Sequence, residues 1–104
     1  MSKTYTGGPI TVSGGGLTLT SGVASASNTI PLDSAGNRPR YVRLTATAAC
    51  YARMGVGAAT ATANDMLVQP ADSVIVAVPS GVTHIATIQD SAGGKLNVVP
   101  LDNV

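Results

Sequence analysis

Short apolar runs, broken at near-regular intervals by turn residues, set the pattern of this chain. The runs "PITV", "LTLTS", "SNTIPL", "RYVRLTAT", "CYARMG", "DMLVQ", "SVIVAV", "THIATIQ" and "LNVVPL" are rich in Val, Ile, Leu and Thr, the residues that fit a pleated surface. Between them stand "SGGG" at 13–16, "SG" at 21–22, "DSAGNRPR" at 33–40, "QPADS" at 69–73, "PSG" at 79–81 and "DSAGG" at 90–94. A spacing of roughly 8 to 12 residues between turn signals is typical of sandwiches and small barrels. Helical periodicity is sustained nowhere. The alanines of "GVGAATATAND", residues 55–65, would support a helical turn, but Thr60 and Thr62 alternate and are β-branched, and Pro70 stops any continuation, so this segment is expected to be an extended loop.

The turns have identifiable chemistry. Pro70 presets the backbone of a turn in "QPADS", and Asp72 can bond the backbone beyond it. Gly81 and the Gly93–Gly94 pair are candidates for positive φ. Short connections imply antiparallel pairing, since parallel pairing needs a long crossover.

The longest run of alternation is "YVRLTATAACYARMG", residues 41–55. Val42, Leu44, Ala46, Ala48, Cys50, Ala52 and Met54 share one parity, and Arg43 and Arg53 share the other. One straight strand of that length would span about 50 Å at 3.3 Å per residue, far beyond a small domain. The run is therefore expected to bend near Ala48 and Ala49, where small side chains let two sheets approach, with the even positions facing the core on both sides of the corner. The expected fold is all-β: a small antiparallel β-sandwich, jelly-roll-like or immunoglobulin-like. At 104 residues it forms a single domain, with residues 1–9 as an extended N-terminal arm and 10–104 as the sandwich.

Composition adds that the core is thin. The chain is 44% hydrophobic but has no Phe and no Trp, so Val, Ile, Leu, Met and Ala must fill the interior. At roughly 25 cal/mol per Å² of buried apolar surface, such a core gives a marginal monomer, and self-association as a dimer or trimer is expected. Charge is sparse, at 11% of residues and a net +1. Only Arg38, Arg40 and Arg43 cluster, which is not the footprint of a nucleic-acid binder. No segment approaches the roughly 20 apolar residues of a membrane helix. The start "MSKTYTGGPITV" lacks the apolar run of a signal peptide, so synthesis in a reducing cytoplasm is expected.

Candidate chemistry is scant. Cys50 is the single cysteine and lies on the apolar parity of its run, where it reads as a buried structural residue. His84 is the single histidine, on a strand with no clean polar side, and reads as half-buried with a hydrogen-bond partner. Cys50, His84 and an Asp are the constituents of a cysteine nucleophile site, but nothing local assembles them. "GGPITVSGGG" lacks the Lys-Ser/Thr ending of a phosphate loop, and Asp65 and Asp72 read as loop caps. The expectation is no enzyme, no catalytic residue, no cofactor, no metal and no small-molecule substrate.

The run "RYVRLTATAACYARMG" followed by "ATATANDMLVQPADSVIVAVPSGVTHIATIQDSAGGKLNV" resembles a pattern found in small β proteins encoded among the virion genes of tailed bacteriophages. The resemblance covers residues 40–99; the first third of the chain carries none of it. It implies a structural role in the virion, foremost as a capsid decoration or cement protein. Such a protein binds the outside of the mature head, its partners being the major capsid protein or other virion proteins. Its location would be the capsid surface of the virion, after assembly in the host bacterial cytoplasm. Head-to-tail or tail-associated positions are the next reading, and a carbohydrate-binding module is a further alternative. Tyr and Arg are enriched at interface centres. The expected contact residues are therefore Tyr5 in the arm, with Tyr41, Arg43, Tyr51 and Arg53 on one common face of the 41–55 run.

Overall fold

The computed structural model describes residues 10–12, 16–33 and 36–103. Within them lie nine strands, one in each of the apolar runs: β1 (Ile10–Val12), β2 (Leu17–Ser21), β3 (Ala26–Thr29), β4 (Tyr41–Ala46), β5 (Cys50–Gly55), β6 (Met66–Val68), β7 (Val74–Ala77), β8 (His84–Gln89) and β9 (Gly94–Asn103). The 56–65 segment is a loop, as its threonines require. In the "SNTIPL" run the strand ends early. Ile30 still donates its N–H to the Thr83 carbonyl (2.9 Å), and the ladder stops there because the chain ahead of Thr83 is in the turn that the Val82 N–H closes on the Pro79 carbonyl.

The pairing is nested about the 56–65 loop. β5 pairs with β6, β4 with β7, β3 with β8, and β1 and β2 together with β9. The chain is thus one antiparallel ribbon folded back on itself. Wrapping that ribbon brings β4 beside β9 and β5 beside β8, giving two sheets of order β1/β2-β9-β4-β7 and β3-β8-β5-β6. This is a jelly-roll order. An immunoglobulin-like sandwich would set the first strand beside the second, whereas here it lies beside the last. Every ladder is antiparallel, as expected, but the short connections are mostly not hairpins. Only β5 and β6, joined by 56–65, are consecutive strands that pair with each other, and the turns at 47–49, 69–73, 78–83 and 90–93 carry the chain from one sheet to the other.

The core between the sheets is aliphatic. Leu19, Ile30, Val42, Leu44, Ala46, Cys50, Ala52, Val68, Ile85, Leu96 and Val98 form one buried cluster, with Met54 and Val76 packed against it. The even positions of the 41–55 run therefore face inward on both strands. The corner between them is tight. The Thr47 N–H donates to the Lys95 carbonyl (2.9 Å) and the Lys95 N–H donates to Thr47 Oγ1 (2.8 Å). A Cβ on Gly94 would lie 2.7 Å from the Ala48 Cβ, so glycine is needed there for close approach. Gly93 and Gly94 do not take positive φ; Gly81 does, at 89°, in the third position of the turn closed by the Val82 N–H on the Pro79 carbonyl. The Asp72 N–H closes the Pro70 turn on the Gln69 carbonyl (3.3 Å).

Pro100 sits inside the central strand β9 without disrupting it. Along β9 the odd residues bond β4, as the Thr47–Lys95 bond in the same register confirms, and even residues face the β1/β2 lane. Residue 100 is one of the even residues, so the N–H that proline lacks costs no bond to β4.

One buried polar group is left over in this core. Thr87, opposite Ala52 and Ala26, is fully buried, and its hydroxyl has no hydrogen-bond partner beyond a weak contact with the Cys50 thiol. An unsatisfied buried hydroxyl costs about 1–3 kcal/mol. Thr87→Val, which keeps the shape and removes the hydroxyl, is expected to stabilise the chain by about 1 kcal/mol, a rise in Tm of about 4–8 °C in a scanning-calorimetry comparison.

Candidate functional site

The corner at 47–49 decides where the proposed contact residues go. Because β4 and β5 both turn their even residues into the core from opposite sheets, their odd residues point to opposite outsides of the sandwich. The common face expected for Tyr41, Arg43, Tyr51 and Arg53 does not exist; Arg43 belongs to one outer face, Tyr51 and Arg53 to the other. Tyr5 lies outside the described residues.

Tyr41 corrects a second expectation. It is 6% exposed, and its β9 neighbour Leu101 is 5% exposed, although both stand outside the inter-sheet cluster. A ring so buried is not available to a partner. Arg43, between Ile75 of β7 and Val99 of β9, is exposed and donates from Nη2 to Ser73 Oγ (3.3 Å), which ties it across its own sheet edge.

On the opposite face the 56–65 loop crosses the sheet. Its Gly57 N–H donates to Thr83 Oγ1 (2.9 Å), its Ala59 N–H to Ser27 Oγ (3.3 Å) and its Ala61 N–H to Ser25 Oγ (2.8 Å), so it runs over β8 to the β3 edge before returning to β6. Ala86 lies on this outward row and is nevertheless fully buried, and Ala61 is 2% exposed. Arg53 fastens the return. Its Nε donates to Asp65 Oδ1 (2.9 Å), while Asp65 Oδ2 accepts the Thr62 N–H (2.7 Å). Asp65 thus caps the turn at 62–65 and is clamped from below. The Thr62 N–H, with help from Arg53, holds its carboxyl below the ordinary carboxylate range against a smaller opposing effect of desolvation.

Beside the loop, Tyr51 stands in a cross-strand row between Leu67 of β6 and Ile88 of β8. Leu67 is 40% exposed, and Tyr51 and Ile88 are half-buried. The Tyr51 hydroxyl donates to Asp90 Oδ1 (2.9 Å), and that bond to a carboxylate raises the phenol above its usual range, since ionising it would remove the donor. That bond draws the ring toward the Asp90 turn. Sequence parity located Tyr51 and Arg53, and Asp65 is the loop cap the sequence suggests, but its pairing with Arg53 and that of Asp90 with Tyr51 arise only through the fold, and Leu67 is an unremarked member of a short run.

The chemistry-bearing residues are kept apart. Cys50 is fully buried, and burial pushes its thiol above the ordinary range, with the nearby Thr87 hydroxyl offsetting part of that. His84 faces outward, half-buried, its Nδ1 2.7 Å from Thr83 Oγ1, which matches the expectation of a partnered histidine. Among the described residues no three His, Cys, Asp or Glu side chains converge as a metal site, and no helix is long and apolar enough to cross a membrane.

Two outcomes are expected. A depressed carboxylate stabilises the folded loop fully above the unfolded value of about 3.9 and loses that effect as pH falls through the lower folded value. Protection of the Thr62 amide from exchange is accordingly constant above about pH 5, falls in acid with a midpoint below 3.9, and drops about tenfold without pH dependence in Asp65→Asn. Cys50 reacts with a thiol reagent only at the rate of global unfolding, since only the thiolate attacks and burial disfavours it; labelling kinetics across denaturant concentrations check this.

Comparison with known proteins assigns the chain to no group: no protein-family model, no curated protein and no solved structure matches it.

Proposed function

We propose that this chain is a structural virion protein of a tailed bacteriophage that decorates the outside of the capsid and stabilises it through protein contacts. The observation that carries this reading is the row Leu67–Tyr51–Ile88: an aromatic side chain between two apolar neighbours on an outer face, its hydroxyl bonded to Asp90. A pre-ordered aromatic anchor loses little entropy on binding, which is what concentrates affinity in a few residues of an interface. The rest of the molecule supports the same role. The ribbon is closed by short crossings at both ends, and the outer loop is clamped at Ser25, Ser27 and Arg53. The chain's sparse charge lets it pack on another protein without desolvating many ions. The resemblance of residues 40–99 to small virion β proteins supplies the class of partner, the major capsid protein; a jelly roll alone would not, because one fold hosts many functions.

The test uses capsids of the phage whose genome encodes the chain, stripped of it and mixed again with purified protein. Wild type rebinds and raises the temperature at which heads release DNA. Tyr51→Ala weakens binding at least about 30-fold, corresponding to the ~2 kcal/mol of an interface anchor, and Leu67→Ser weakens it too. Virions whose mass spectra and electron-microscopy maps hold none of this protein overturn the reading, and a map that places it at the head-to-tail joint or in the tail replaces decoration with that position.

A further inference from the structure

The edge of β7, unpaired on its outer side among the described residues, has the geometry of half an interface. On the β4–β7 ladder the Val78 N–H donates to the Arg40 carbonyl (2.8 Å), so the bonded pairs of this register fall on Val78, Val76 and Val74. The N–H and C=O groups of Ile75 and Ala77 then point away from β4, along the outer edge of the sheet. The segment "SVIVAV", residues 73–78, contains no charge and no Pro, and Ile75 is 39% exposed. Natural sheets blunt such edges. Both edges of the other sheet are blunted: β3 is polar and its Ser27 already holds the crossing loop, and β6 has three residues and stops short of Pro70. β7 is not.

We propose that β7 pairs antiparallel with β7 of a second copy, across a two-fold axis through Val76. That register sets Ile75 against Ala77 of the second copy, a large side chain beside a small one, and lets the outward N–H and C=O groups of both residues bond in full. It also places Asp72 opposite Ser80 of the second copy, where Arg38 and Arg40 line a cavity of about 390 Å³ together with residues 77–80. Each copy therefore brings an exposed carboxylate to the other's arginine pair, twice by symmetry. The same contact covers an apolar cleft of about 180 Å³ between the sheets, where Val76 and the 41% exposed Met66 stand at the mouth and Leu44, Met54 and Ile85 behind them. The two-fold register, the opposite charges at its ends and the uncovered apolar mouth all select a second copy over a strand from another protein. This pairing does not depend on what the assembly attaches to.

Sedimentation equilibrium of the purified full chain tests it. Wild type dimerises with rising concentration. Ala77→Pro, which removes an outward N–H and no β4 bond, raises the dimer Kd at least about 100-fold. Asp72→Arg raises it about tenfold, and combining it with Arg38→Asp and Arg40→Asp restores affinity to within about threefold of wild type. If circular dichroism shows Ala77→Pro unfolded, the charge reversal and its rescue decide alone. A chain monomeric at every soluble concentration overturns the proposal, as does a dimer indifferent to these changes or a monomer whose β7 edge instead captures a strand of another protein.

Discussion

The three residues Thr47, Ala48 and Ala49 are the constraint on which this fold depends. They take the chain from the centre of one sheet to the centre of the other while keeping its parity, so that Leu44 and Cys50 both face the same interior. An added or missing residue at this corner would turn one strand inside out, because side chains alternate with a period of two. The corner closes because Gly94 has no Cβ to strike Ala48 and because Thr47 and Lys95 exchange two hydrogen bonds. Small side chains and a missing one thus do structural work in a chain without Phe or Trp.

From that corner the nesting follows. With β4 and β5 fixed in opposite sheets, β7 and β6 pair on their free sides, and β9 and β8 on the others. The central strands are fully paired and the two-sided burden falls on β7 and β6, which border one apolar cleft. A thin aliphatic core leaves little apolar surface to close that side from within. The proposed self-association and the proposed attachment to a shell would both draw on that deficit, one at the β7 edge and the other at the Tyr51 row, on different surfaces.

The outer faces illustrate how polar residues are spent in such a slab. Arg53 and Asp65 hold the crossing loop, Arg43 reaches Ser73, and Ser25 and Ser27 receive loop amides. Groups that read in sequence as a ready contact surface are largely engaged within the chain. Among the described residues, the Tyr51 row and the β7 edge stand outward beside the exposed loop residues Val23, Leu32 and Val56.

Much of this was legible in the residues alone. The positions of nine strands, the loop at 56–65, the bend near Ala48, the buried Cys50 and the partnered His84 follow from local rules: β-branched alternation, turn residues and the reach of an extended chain. Which strands pair did not follow, because jelly-roll and immunoglobulin-like orders need the same strands and the same turns. Nor did the fate of Tyr41, Arg43, Tyr51 and Arg53. Parity says which residues share a side of a strand, and only the switch between sheets decides that the two sides point apart, that Tyr41 is buried, and that Asp65 and Asp90, distant in sequence, come within hydrogen-bond reach of Arg53 and Tyr51.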